Sequence, residues 1–283
     1  MSSSPGAETA ATVPWTENAA GRGGREHTWT VLWRSRQLIG YLALRDLRLR
    51  YRQAALGVIW VLVQPVATVV VFTFVFDRLA RIDTQGIPYP LFALTGLIAW
   101  TYFANATSRS SEVLVGNPSL VTKVYFPRMA APAAGLLSPL VDLVVSGVLV
   151  AALAVYYGVW PGWNLLAAPL WLLFLLGTTL GVSLWLSAVN VRYRDVRHAL
   201  GPALQLWLFA SPVAYPASAL TGWQELLYAV NPVVGIVEFG RWSLLGAAWP
   251  GWALVVSAAS AGLLLVTGLA YFRRAERSFA DVI

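Results

Sequence analysis

Cysteine is absent from this 283-residue chain, lysine occurs once, and the only histidines are His27 and His198. Without cysteine there is no disulfide, no thiol nucleophile and no thiolate metal ligand. Two imidazoles do not make a histidine-rich metal centre. Charge is scarce too: 12% of residues are charged, against about 25% in an ordinary soluble domain. In its place 58% of residues are hydrophobic and 13% aromatic, which excludes a soluble globular protein.

The few charges are also far apart. Residues 53–76, 84–108, 143–191, 198–224 and 242–272 form uncharged runs of 24, 25, 49, 27 and 31 residues. A membrane-crossing helix needs about 20 mostly apolar residues at ~1.5 Å each. Each run is long enough, and the turn signal GVWPG at 158–162 divides the longest in two. The sequence predicts an all-α integral membrane protein with six spans, at about 57–76, 90–106, 133–157, 165–189, 199–215 and 252–272. Pro65 should kink the first of these.

A net charge of +7 in so apolar a chain reads as membrane orientation rather than nucleic-acid binding. With six spans, only Arg78, Arg81 and Arg241 of the 20 basic residues fall on the side opposite the termini. The positive-inside rule then places both termini in the cytoplasm. Residues 1–27 lack the apolar core of a signal peptide and read as a disordered tail. Residues 28–53 put Leu44, Leu47 and Tyr51 on one helical stripe and Arg45, Arg48 and Arg52 on the next. That is the pattern of an amphipathic helix lying in the membrane interface, or of one packed on protein. Between spans five and six, two apolar pieces at 223–230 and 233–245 flank Asn231-Pro232 and are too short to cross. They predict a re-entrant outer hairpin, with a pair of surface helices as the alternative.

The chemistry is sparse. No phosphate-cradling glycine loop precedes Lys123, so the chain is not expected to hydrolyse a nucleotide. Asp142 is the one carboxylate deep in a span. Charged and facing lipid it would cost about 2.5–3.5 kcal/mol, so it should face the bundle or a partner. With no second acid or histidine beside it, a structural pairing outweighs a proton relay. Glu238 and Arg241 lie one helical turn apart, to hold the outer hairpin or line an exit. Trp60, Trp100, Tyr102 and Trp207 are candidates for lining a path, since their rings suit sugar faces, although interfacial belts use the same residues. Residues 116–128, GNPSLVTKVYFPR, are too apolar and aromatic for an ordinary connector. They suit a groove on another protein or the membrane surface. Asp195 and His198 are the only acid–imidazole pair at helical spacing, and the arginines around them favour an ion-pair loop over catalysis.

Several stretches together resemble one family. They are RDLRLRYRQAALGVIWVLVQP (45–65), NPSLVTKVYFPR (117–128), LSAVNVRYRDVRH (186–198), SPVAYP (211–216), NPVVGIVEFGRW (231–242) and FADVI (279–283). In this order they resemble the membrane subunit of polysaccharide-exporting ABC transporters, type-two exporters of O-antigen, teichoic acid and other lipid-linked glycans. The resemblance implies a homodimer of six-span subunits around a channel in the bacterial plasma membrane. Two copies of a separate ATPase subunit bind ATP and Mg, and this chain itself binds no cofactor. It assigns ATPase coupling to Asn117, Pro118, Leu120, Lys123, Val124, Tyr125, Phe126, Pro127 and Arg128. It assigns a second cytoplasmic loop to Arg192, Tyr193, Arg194, Asp195 and Arg197, and an outer gate to Asn231, Pro232, Glu238 and Arg241. The interface helix would frame access of the lipid-linked glycan, where Arg45, Arg48, Arg50 and Arg52 suit a pyrophosphate. An exporter of the same architecture for a drug or lipid is the nearest rival, and a membrane-embedded transferase is a more distant one.

Overall fold

The computed structural model describes residues 33, 35–52, 59–79, 81–116, 127–193, 195–217 and 222–279. Among these residues every regular element is helical. In chain order they are α1 (Arg36–Arg52), α2 (Ile59–Phe72), α3 (Tyr89–Glu112), α4 (Ala130–Tyr157), α5 (Ala168–Arg192), α6 (Val196–Phe209), α7 (Trp223–Ala229), α8 (Pro232–Leu245) and α9 (Gly251–Ala275). A π-helix, Thr73–Leu79, continues α2, and 3-10 turns lead into α5 (Gly162–Ala167) and close α9 (Glu276–Ser278).

Four segments are long and apolar enough to cross a membrane: Leu62–Leu79, Ala130–Tyr157, Gly162–Arg192 and Gly251–Ala275. They fall on the expected first, third, fourth and sixth spans. The GVWPG signal holds as well: Gly158 ends α4 in the left-handed conformation, φ 68°, and its N–H closes on Val155 O. The other two expected spans take different forms. α3 is 24 residues long but carries Thr95, Thr107, Ser110 and Ser111. It is the central helix, buried throughout 91–100 and packed on α2, α4, α5, α6 and α8. α6 has only 14 residues, about 21 Å, because Pro212 brings no N–H to continue the helix. The rest of the expected 199–215 span is an irregular turn.

Close helix contacts rest on small residues. A Cβ on Gly268 of α9 would sit 2.5 Å from Gly181 O of α5, and one on Gly181 would sit 2.7 Å from Leu265 Cα. In a membrane, where lipid removes the hydrophobic drive between helices, such backbone approach is the main source of association. Side chains add cross-links: Ser110 donates to Pro132 O at 2.9 Å, and Asn190 donates to Ser111 O at 2.9 Å.

α1 turns Leu42 and Ala43 inward and packs on α4, while Leu44 is 46% exposed. A helix between protein and lipid has two apolar faces, and periodicity alone does not tell which one meets protein.

Candidate functional site

The α7–α8 hairpin is built around Asn231. Its side chain caps α8 by accepting from Val233 N–H at 3.1 Å, and accepts from the Trp207 indole N–H at 2.9 Å. Its amide donates to Ala210 O at 2.9 Å and to Ser211 Oγ at 3.0 Å. One asparagine thus uses both ends of its amide to tie α8 to the end of α6. Asn231→Asp keeps the acceptors and removes both donors, leaving a carboxylate against a carbonyl. It is expected to cost about 1–3 kcal/mol, read as a lower thermal midpoint in detergent; an unchanged midpoint would remove Asn231 from this joint.

α8 is enclosed, not a surface helix. Ten of its residues from Val233 onward are buried, and Gly235 and Gly240 let it approach Ser257 of α9 and Trp171 of α5. Ser257 donates to Ala229 O at 2.7 Å and accepts from Gly235 N–H at 3.1 Å, and the Trp171 indole donates to Ile236 O at 2.9 Å. α7, by contrast, exposes Trp223, Leu226 and Leu227.

Arg241 is the largest fully buried side chain. It pairs with Glu238 at 2.8 Å, donates to Val213 O at 2.9 Å and to Phe92 O at 3.3 Å, and lies 3.4 Å from the Phe92 ring centroid. Gly96 makes room, since a Cβ there would meet the guanidinium at 2.9 Å. Tyr89 adds a further hold on the same turn, donating to Ala214 O at 2.8 Å. The carbonyls of the SPVAYP turn are therefore bound by side chains from α3 and α8. A cavity of about 240 Å³ opens beside the pair, lined among others by Gln85, Glu225, Tyr228, Glu238 and Trp249.

The remaining candidates fall as follows. Trp100 and Tyr102 are buried inside the chain, at 6% and 2% exposure, and Tyr102 donates to Leu136 O at 3.1 Å. Trp207 packs edge-on against Phe103 at 5.1 Å. These rings bridge helices of this chain, and neither Trp100 nor Tyr102 is presented at an open face. Asp142 is buried and has a partner within the chain. The side chain of Trp60 lies outside the described residues, as do those of Arg50 and Arg52.

At the opposite end, Arg45 is half-buried and bonded to Asp46 at 3.2 Å, while Arg48 is exposed. Asn117, Pro118, Leu120, Lys123, Val124, Tyr125, Phe126 and Arg194 lie outside the described residues. The segment that holds the first seven of these returns at Pro127 and Arg128, both half-buried. Arg192, Tyr193, Asp195 and Arg197 are exposed, with Arg192 over the Tyr193 ring at 5.5 Å. Among the described residues no three His, Cys, Asp or Glu come together as a metal site would require.

Sequence reasoning missed the partners. Tyr89, Trp171 and Ser257 had no local signal, because each acts through a carbonyl on a distant helix. Glu276 was missed as well: it is half-buried and touches Arg128. That burial pushes its carboxyl up, against the opposing pull of Arg128 and Arg273.

Comparison with known proteins follows this geometry. Residues 37–245 match the family described as ABC-2 type transporter. The O-antigen export system permease protein RfbA of Myxococcus xanthus is 33% identical over 209 residues, 73% of this chain and 79% of that protein. A protein of the same name from Klebsiella pneumoniae is 22% identical over 247 residues, 87% of this chain and 95% of its own. The polysialic acid transport protein KpsM of Escherichia coli is 25% identical over 241 residues, 84% of this chain and 93% of its own. The matched region runs from α1 to the end of α8, most of the chain, and the chain belongs to the ABC-2 type transporter membrane family.

Proposed function

We propose that this chain is the channel-forming subunit of an ATP-driven exporter that carries a lipid-linked polysaccharide across the bacterial plasma membrane from the cytoplasmic side. The observation that carries the reading is the kinship with polysaccharide-export permeases along most of the chain, joined to the absence of any nucleotide-binding loop. α3, together with α6 and the turn after it, completes six spans, and α7–α8 forms the re-entrant outer hairpin. Irregular backbone at membrane depth requires protein partners for its carbonyls, and the bonds to Ala210, Val213 and Ala214 supply them. The basic bias puts both termini in the cytoplasm. α6 keeps only Leu200 and Leu204 buried, which leaves a flank for a second copy of the chain.

The lipid pyrophosphate is held at α1 by Arg45, Arg48, Arg50 and Arg52, through charge-assisted bonds that guanidinium forks favour. Residues 117–128 sit in a groove of the ATPase subunit, where ATP and Mg are bound. Nucleotide binding there moves this segment and rocks the two six-span halves, a rigid-body transition of the usual kind. The glycan then leaves past the hairpin.

A tagged pull-down from detergent-solubilised source membranes should recover a P-loop ATPase in equal amount. Its turnover should respond to the lipid-linked glycan fraction extracted from the same cells. A chain recovered alone and silent would overturn the reading, and a response to a drug or simple lipid instead would move the cargo. In the intact complex, Tyr125→Ala with Phe126→Ala is expected to leave ATP turnover and abolish at least nine-tenths of export, and normal export would remove the coupling assignment.

A further inference from the structure

The chain does not simply trail away after α9. The 3-10 turn Glu276–Ser278 redirects it, and Phe279 is driven inward to 2% exposure, edge-on to Phe272 at 5.4 Å. Both rings join a buried cluster with Leu114, Met129, Ala130, Leu184 and Val191. Leu114 lies three residues before the stretch 117–126 and Met129 three after it, so one apolar hub holds the chain on both sides of that stretch.

A reciprocal polar contact fixes the return point. The backbone N–H of Arg128 donates to the Glu276 carboxylate at 3.2 Å, and the Arg128 guanidinium donates to the Glu276 backbone carbonyl. Each residue thus uses one main-chain and one side-chain group, which fixes position and direction together. A half-buried contact of this kind moves as a unit, because leaving either half unpaired costs about 1 kcal/mol.

We propose that the C-terminal turn Glu276–Phe279 is a positioning latch that fastens the root of the 117–128 segment to α9, so that a push on that segment reaches the helix bundle. This rests on reading 117–128 as the ATPase-docking segment. Without the latch the root gives way under load and the push is absorbed locally. With it, displacement at Arg128 passes to α9, and from α9 through Ser257 to α8.

The test uses the full chain in its complex with the ATPase subunit, followed by hydrogen–deuterium exchange. In Glu276→Ala, amide exchange over 128–131 is expected to rise at least tenfold, and Glu276→Gln, which keeps an acceptor oxygen, should restore it. The second readout is the change in exchange over 232–245 when the complex is trapped with ATP, Mg and vanadate. A merely structural contact would not alter that response, whereas the latch predicts that it falls by more than half in Glu276→Ala and returns in Glu276→Gln. Should the alanine variant fail to assemble, Glu276→Asp withdraws the carboxylate by one methylene and is read the same way. Unchanged exchange at 128–131, or raised exchange there with a full nucleotide response at 232–245, would overturn the latch. No nucleotide response even in the native complex would overturn the docking reading itself, and the latch with it.

Discussion

Arg241→Met is expected to destabilise the folded subunit by about 3–5 kcal/mol, the range for removing one partner of a buried ion pair. The methionine fills much of the volume, so the loss is electrostatic. Glu238, with 21% of its side chain exposed, keeps some water, but the Val213 carbonyl loses its side-chain donor, while Phe92 O, inside α3, keeps its helical partner. Replacing Glu238 as well, in Arg241→Met with Glu238→Leu, should recover only part of the loss, because the Val213 carbonyl stays without its side-chain donor. Unfolding of the detergent-solubilised protein would measure both. A single-variant loss below about 1 kcal/mol would mean that water takes the place of the guanidinium.

Two identical substitutions on α9 should act with opposite sign. Gly262 has no atom within 4 Å of a built Cβ, so Gly262→Ala gains helix propensity alone, up to about 1 kcal/mol. At Gly268 the new methyl would lie 2.5 Å from Gly181 O and 3.1 Å from a Trp185 ring carbon. A main-chain carbonyl inside a helix cannot turn aside, so α5 and α9 must part. The expected cost is about 3 kcal/mol, the upper end for overpacking, and the contact of Trp185 with Tyr271 at 4.3 Å should open with it. The comparison is made by thermal midpoint and by protease resistance in detergent. Equal midpoints for the two variants would mean that the helices are not held by this crossing.

Much of this architecture was legible in the sequence, for identifiable reasons. Glycine at 158 marks a helix end because the left-handed conformation there suits it, and Asn231-Pro232 marks a helix start because one caps and the other fits the first turn. Apolar runs located α4, α5 and α9 because hydropathy and helix length are both local properties. The SPVAYP turn was not legible as a turn. An uncharged run has the same hydropathy whether it continues as helix or is held by distant side chains, and those holders, Tyr89 and Arg241, lie 125 and 28 residues from the carbonyls they bind. Of the residues around the buried Arg241 pair, Glu238 and Arg241 were singled out by their one-turn spacing, and Asn231 by its place beside proline between two short apolar pieces. The burial of Trp100 and Tyr102 within the chain was not legible, since an exposed ring and a ring packed among helices look alike in sequence. Glu276 escaped because a short polar turn gives no periodicity to read, and Phe279, although part of the FADVI stretch, gave no sign of where it packs.

The turn after α6 also bears on how the chain is made. Tyr89 is already in place when the ribosome delivers residues 210–217, but Arg241 emerges 28 residues after Val213. At about 5–20 residues per second this is a delay of roughly 1–6 s. During that interval the Val213 carbonyl after α6 waits for its donor, while Tyr89 is available to Ala214. The insertion machinery must therefore shelter this end of the chain until α8 arrives, and substitutions that slow or weaken α8 should lower the yield of inserted protein before they alter the activity of the molecules that mature.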